Sequence, residues 1–168
     1  VAIRDEPGIR MITPRSEFAL TYMADGYART GNRIAPVMVV PGPGVYNAAG
    51  GLSTAYSTSS PVMLIAGQPP RDTIGGNTGA LHEVNDQMDT IKPITKWQGR
   101  MIEIKDIPGT MTEAIRQLRS GRPRPVYVDI PPEAMLGLDD VELLEAPPQE
   151  RLTPPDSEIE AAAKAIAA

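Results

Sequence analysis

A parallel β-sheet with helices on both faces is the fold class that three features of this 168-residue sequence predict. Predominantly apolar runs occupy residues 35–40, 61–66 and 125–130, a composition suited to strands covered on both faces. Helix-length segments with an apolar or small-residue face lie between them. Gly- and Pro-rich turns separate the two kinds of segment. Short buried strands alternating with helices specify an α/β fold, and no repeat of solenoid period is present.

The elements follow in order. Ile9-Arg10-Met11-Ile12-Thr13 alternates and is rich in branched residues, which predicts a strand. Ser16 can cap a helix running to Arg29 and stopped by Gly31, with Phe18, Ala19, Tyr22, Met23, Gly26 and Tyr27 as its apolar face. After the strand at 35–40, Gly42-Pro43-Gly44 forms a tight turn. Residues 46–56 form a helix whose small residues allow close packing on a sheet. The strand at 61–66 leads into a Gly- and Pro-rich loop over 67–79. Residues 94–101 read as a further strand. Residues 108–119 read as a helix presenting Met111, Ala114, Ile115 and Leu118. After the last strand, residues 132–155 are Pro-rich and acidic, the composition of a linker. Ser157 and Glu160 suggest a capping box for a helix through residue 168.

Composition closes several function classes. With no cysteine, disulfides, thiolate metal sites and cysteine nucleophiles are excluded, and the chain suits a reducing cytoplasm. A formal charge of −5 argues against nucleic acid as the main partner. No run of about 18 apolar residues predicts a membrane span. The one histidine, His82, cannot complete a two-histidine zinc motif, and no metal site is expected within the chain.

The residues that remain each carry two readings. Glu17 at the start of a helix after a strand stands where α/β folds bind ligands, but it also complements the helix dipole. Gly42-Pro43-Gly44 could offer free amides to a phosphate, yet a tight turn explains it better because it matches no phosphate-loop pattern. His82-Glu83-Val84-Asn85-Asp86-Gln87 ends a long loop, where function concentrates, but it also suits a solvated surface. Lys96-Trp97 reads as strand packing, and residues 121–125 as a stiff turn.

Taken in order, these pieces resemble the N-terminal pyrimidine-binding domain of thiamine-diphosphate enzymes, in the acetolactate-synthase-like group. The segment from Arg4 to Arg10 followed by Pro14-Arg15-Ser16-Glu17 looks like its second-strand region. Met23 through Gly31 is similar to its ADGYAR helix signature. Gly42-Pro43-Gly44, Asn47, Gly51-Leu52 and Ala55-Tyr56 match its GPG segment. Lys92 to Trp97 and Gly121 to Pro131 match its later strands. The likeness covers residues 4–131 with family spacing, and the combination is highly specific.

The resemblance implies a thiamine-diphosphate-binding domain over residues 1–131 that lacks its first βα unit. A linker over 132–155 and the start of a central domain over 156–168 would follow. It implies thiamine diphosphate as cofactor, with Mg2+ and the diphosphate held by a GDG-containing C-terminal domain that this chain lacks. FAD, which some members carry, is left open. It places Glu17 as the carboxylate facing the aminopyrimidine N1′ and activating the cofactor for loss of its C2 proton. Pro41, Gly42, Pro43, Gly44 and Asn47 would line that ring. Val40-Pro41 replaces the family's usual Thr-Ser, and Ser16 its usual His. Leu81-His82-Glu83 stands where acetolactate synthases carry Phe-Gln-Glu, which makes His82 a substrate-side catalytic candidate. The complete enzyme would act on a 2-oxo acid as carboligase or decarboxylase, as a homodimer or tetramer, and this chain alone would be inactive. The alternatives are a simple 2-oxo-acid or oxalyl-coenzyme-A-type decarboxylase, and a non-catalytic domain that keeps the fold.

Overall fold

The sheet is built from the apolar runs. The computed structural model describes residues 2–31, 33–145, 148 and 153–168. Its four strands are β1 (Ala35–Val39), β2 (Val62–Gly67), β3 (Trp97–Arg100) and β4 (Val126–Ile130). They pair in parallel in the order β1-β2-β4-β3. Because side chains alternate along a strand, the runs split between two cores. Val37, Leu64, Ala66 and Tyr127 face α2 (Glu17–Arg29) and α3 (Pro43–Ser57). Met63, Val126 and Val128 face α5 (Asp106–Arg119) through Ala114 and Leu118. Helices therefore cover both faces, as the sequence predicts. Met111, Ala114, Ile115 and Leu118 of α5 pack as a stripe on this second core, also as predicted.

The remaining α-helices among the described residues are α1 (Ala2–Asp5), α4 (Gln87–Ile91), α6 (Pro132–Leu136) and α7 (Asp156–Ala167). No helix among the described residues is long and apolar enough to cross a membrane. Residues 137–145 carry no helix or strand, and no residue of α7 is buried. α7 begins at Asp156 with Pro155 as its N-cap and without a side-chain cap, so the Ser157–Glu160 capping box does not form. Ser157 lies inside the helix rather than at the position before it, where its hydroxyl could accept an end amide.

Two further expectations are corrected. Residues 9–13 form no strand. Ile9, Met11 and Ile12 are more than half exposed, and among the described strands β1 pairs with β2 only. Alternation selects the face a strand would bury but supplies no ladder partner, and an unpaired extended segment is not a strand.

The buried face of α2 is also different from the apolar one. Ser16 caps the helix as predicted, its Oγ accepting from Ala19 N–H at 3.3 Å. Thr21, Ala24, Asp25 and Ala28 are buried, whereas Phe18, Tyr22, Met23 and Tyr27 are at least two-fifths exposed. The cause is a close crossing with α3. A Cβ on Gly51 would overlap Thr21 Oγ1 and lie 2.7 Å from the Tyr22 nitrogen. Thr21 Oγ1 donates across the crossing to the Ala48 carbonyl at 2.9 Å. Small residues let the backbones approach, and large apolar ones are turned aside. Asp25 accepts both arms of Arg29 and the hydroxyls of Ser60 and Thr58. Burial opposes its ionised form, but these donors outweigh burial and hold its carboxyl below the ordinary value. Gly51→Ala should destabilise the fold by about 1–3 kcal/mol through overpacking. A urea midpoint equal to wild type would show that the two helices can separate without cost.

Candidate functional site

The common direction of the parallel strands gathers the candidate residues at the carboxyl end of β1. The chain leaves β1 at Val39, turns through Pro41 and Gly42, and enters α3 at Pro43. α2 packs against α3, so Glu17 in its first turn reaches the first turns of α3. There Asn47 Nδ2 donates to Glu17 Oε2 at 3.3 Å. Glu17 is half-buried, and its other oxygen accepts no hydrogen bond from the described residues. The carboxylate thus belongs to the end of β1 rather than to the expected strand at 9–13.

Gly42 requires glycine for two reasons. Its φ of 58° with ψ of −109° is a backbone conformation closed to L side chains. A Cβ would also overlap the His82 carbonyl oxygen and lie 3.1 Å from its carbon. The backbone of the His82 loop is therefore seated directly on the Gly42 turn. Pro41 packs against the end of β2, where a Cβ on Gly67 would lie 3.1 Å from Pro41 Cδ. Pro43 occupies the first turn of α3, where its missing N–H costs nothing. The structure brings together Glu17 with Asn47 and the turn with His82. Among the described residues no hydrogen bond joins the imidazole of His82 to another side chain.

Glu83 has a task of its own. Its carboxylate accepts from the backbone amides of Thr78 at 3.1 Å, Gly79 at 2.6 Å and Ala80 at 3.0 Å. These bonds, Thr78's first, hold its carboxyl below the usual range despite opposing desolvation. Glu83 folds the loop that carries His82, itself at φ 65°. Asp86 caps α4, its Oδ1 accepting from Asp89 N–H at 3.0 Å. Both acids are engaged with backbone amides, and among the described residues no group of three or more His, Cys, Asp or Glu could hold a metal ion. Lys96 donates to the carbonyls of Gln117 and Ser120 at the end of α5, a capping role rather than a ligand role. Arg124 lies 4.0 Å from the Tyr56 ring centre and ties the 121–125 turn to α3.

A buried polar network behind the turn escaped the sequence reading. Asp129, fully buried on β4, accepts from Arg100 Nε at 2.7 Å and Nη2 at 3.0 Å, and from Gln68 Nε2 at 2.7 Å. Tyr127 donates to Asp129 at 3.1 Å. Burial, then the charge of Asp129, holds the Tyr127 phenol far above its usual value, so it stays protonated and able to donate. The hydrogen bond from Arg100 to Asp129 in turn raises the guanidinium's affinity for its proton. One signal was available: a charged residue inside the otherwise apolar run at 125–130 must have partners if the strand is buried.

The chain matches the family of thiamine pyrophosphate enzymes, N-terminal TPP-binding domain, over residues 1–90. It belongs to this family. Relatives include the acetolactate synthase large subunit of Haemophilus influenzae, 39% identical over 80% of this chain and 23% of that protein. The acetolactate synthase isozyme 1 large subunit of Escherichia coli is 35% identical over 94% of this chain and 27% of its own length. A probable 2-ketoarginine decarboxylase of Pseudomonas aeruginosa is 36% identical over 74% and 22%. The chain spans about a quarter of the length of these curated relatives. As a thiamine pyrophosphate enzyme domain, its donor set fits the ring end of that cofactor. Among the described residues one Glu17 carboxylate oxygen accepts no hydrogen bond, and the adjoining turn presents Pro43 and part of Pro41 to the surface while Gly42 and Gly44 are buried.

Proposed function

We propose that the complete chain is a thiamine-diphosphate-dependent enzyme acting on 2-oxo acids, a carboligase of acetolactate-synthase type. The observation that carries this reading is the Glu17 carboxylate, joined to Asn47 about one turn into the helix that follows Gly42 and, among the described residues, without a hydrogen bond on its other oxygen. When bound, the cofactor supplies the electron sink for breaking the bond to the departing carboxylate. Glu17 holds and returns a proton at the aminopyrimidine N1′, the task of a general acid–base. Asn47 orients Glu17, and Pro41, Gly42, Pro43 and Gly44 seat the ring. Mg2+ and the diphosphate are held by a C-terminal domain of the complete enzyme. The working form is a cytoplasmic homodimer or tetramer whose active sites lie between subunits.

The reading is tested by assaying the complete enzyme with 2-oxo acids. Carbon dioxide release that requires added thiamine diphosphate and Mg2+ is expected, and turnover without them would overturn it. A simple decarboxylase is the second reading, favoured by the similarity to the Pseudomonas aeruginosa protein. The products separate the two: an aldehyde marks a decarboxylase, and a longer hydroxy-oxo acid marks a carboligase.

His82 is the substrate-side residue of this proposal, because its loop rests on the turn that seats the ring. His82→Ala is expected to lower turnover or alter the product ratio while cofactor affinity stays near wild type. Unchanged kinetics and products would return His82 to the status of a surface residue.

A further inference from the structure

The Gly42 turn is held from behind by one side chain that the proposed function does not use. Gln87 opens α4 and is 2% exposed. Its Oε1 accepts from Gly42 N–H at 2.6 Å. Its Nε2 donates to the Gly67 carbonyl at 2.9 Å and to the Tyr127 hydroxyl at 2.6 Å. The orientation of the amide follows from its partners, since a backbone N–H only donates and a carbonyl only accepts. Tyr127 gives its own proton to Asp129, so it must accept from Gln87. Asp129 is fixed in turn by Arg100 and Gln68. A chain of bonds therefore runs from β3 through β4 and α4 to the start of α3. It ends on the peptide whose conformation decides where Pro41, Pro43 and the His82 backbone stand.

We propose that Gln87 is a positioning residue for the cofactor turn, fixing the Gly42 peptide and through it the surface that meets the ring. The proposal rests on the thiamine-diphosphate reading of that turn. Glutamate at this position would keep the shape and accept from Gly42, but it has no N–H for Gly67 or Tyr127. Tyr127→Phe removes the hydroxyl that accepts from Gln87 and donates to Asp129, and it is milder because it brings no new charge against Gly67 and leaves the Gln87 bonds to Gly42 and Gly67 in place.

The test uses the complete enzyme, freed of cofactor, as wild type, Gln87→Glu and Tyr127→Phe. Two quantities are measured: amide hydrogen exchange of residues 41–46 in the apoenzyme, by mass spectrometry, and thiamine-diphosphate affinity in the presence of Mg2+, by calorimetry below the unfolding transition. Gln87→Glu is expected to speed exchange in that segment and weaken affinity on the order of tenfold, the scale of one lost buried hydrogen bond. Tyr127→Phe should move both quantities the same way by less. A purely structural role would lower the melting temperature and leave the affinity of the folded enzyme unchanged, which would overturn the proposal. Should Gln87→Glu not fold, Tyr127→Phe decides by the same two readouts. Wild-type enzyme that binds no thiamine diphosphate would overturn the site reading and this role with it. Wild-type binding with unaltered affinity in the variants would overturn the role of Gln87 alone.

Discussion

Glu17→Gln in the complete enzyme is expected to slow hydrogen–deuterium exchange at the cofactor's C2 position by about 10²–10⁴-fold, the usual worth of general acid–base assistance. The amide keeps the shape of the carboxylate and can still bond to Asn47, whose present bond to Glu17 is 3.3 Å long. It cannot take up and return a proton at N1′. Cofactor affinity should therefore change much less than the exchange rate. Quenched-flow NMR on the cofactor-saturated enzyme measures that rate directly. Equal rates in wild type and variant would leave Glu17 with the smaller role of an acid in the first turn of α2, where it complements the helix dipole.

Asp129→Ala is expected to cost about 3 kcal/mol of folding stability, the lower end of the range for breaking a buried ion pair. Asp129 is fully buried, and its removal strands the Gln68 amide, the Tyr127 hydroxyl and the Arg100 guanidinium together. The lower end applies because the Arg100 side chain retains 26% exposure and can turn partly to water. Urea unfolding followed by circular dichroism checks the value through the shift in midpoint. A midpoint within error of wild type would mean that water enters and replaces the carboxylate. The network would then contribute little to holding β3 and β4 in register.

The sequence alone determined the strand set that matters. The apolar runs at 35–40, 61–66 and 125–130 became β1, β2 and β4 with bounds shifted by a residue, because four or more consecutive apolar side chains can be buried only between two layers. It also determined the stripe of α5 and the Ser16 cap, both set by local periodicity and local hydrogen bonding. The motif order pointed to the family that the comparison with other proteins established, and with it to Glu17. The tertiary structure alone decided three things. It left residues 9–13 without a ladder, since a strand exists only when another chain segment accepts its hydrogen bonds. It turned the small face of α2 inward, because Gly51 admits the α2 backbone where a larger neighbour would not. It joined Gly42, Gln87, Tyr127, Asp129 and Arg100 into one network. Periodicity records which side of an element is buried, whereas a hydrogen bond between residues 40 or more positions apart depends on how the elements meet, which no local pattern encodes.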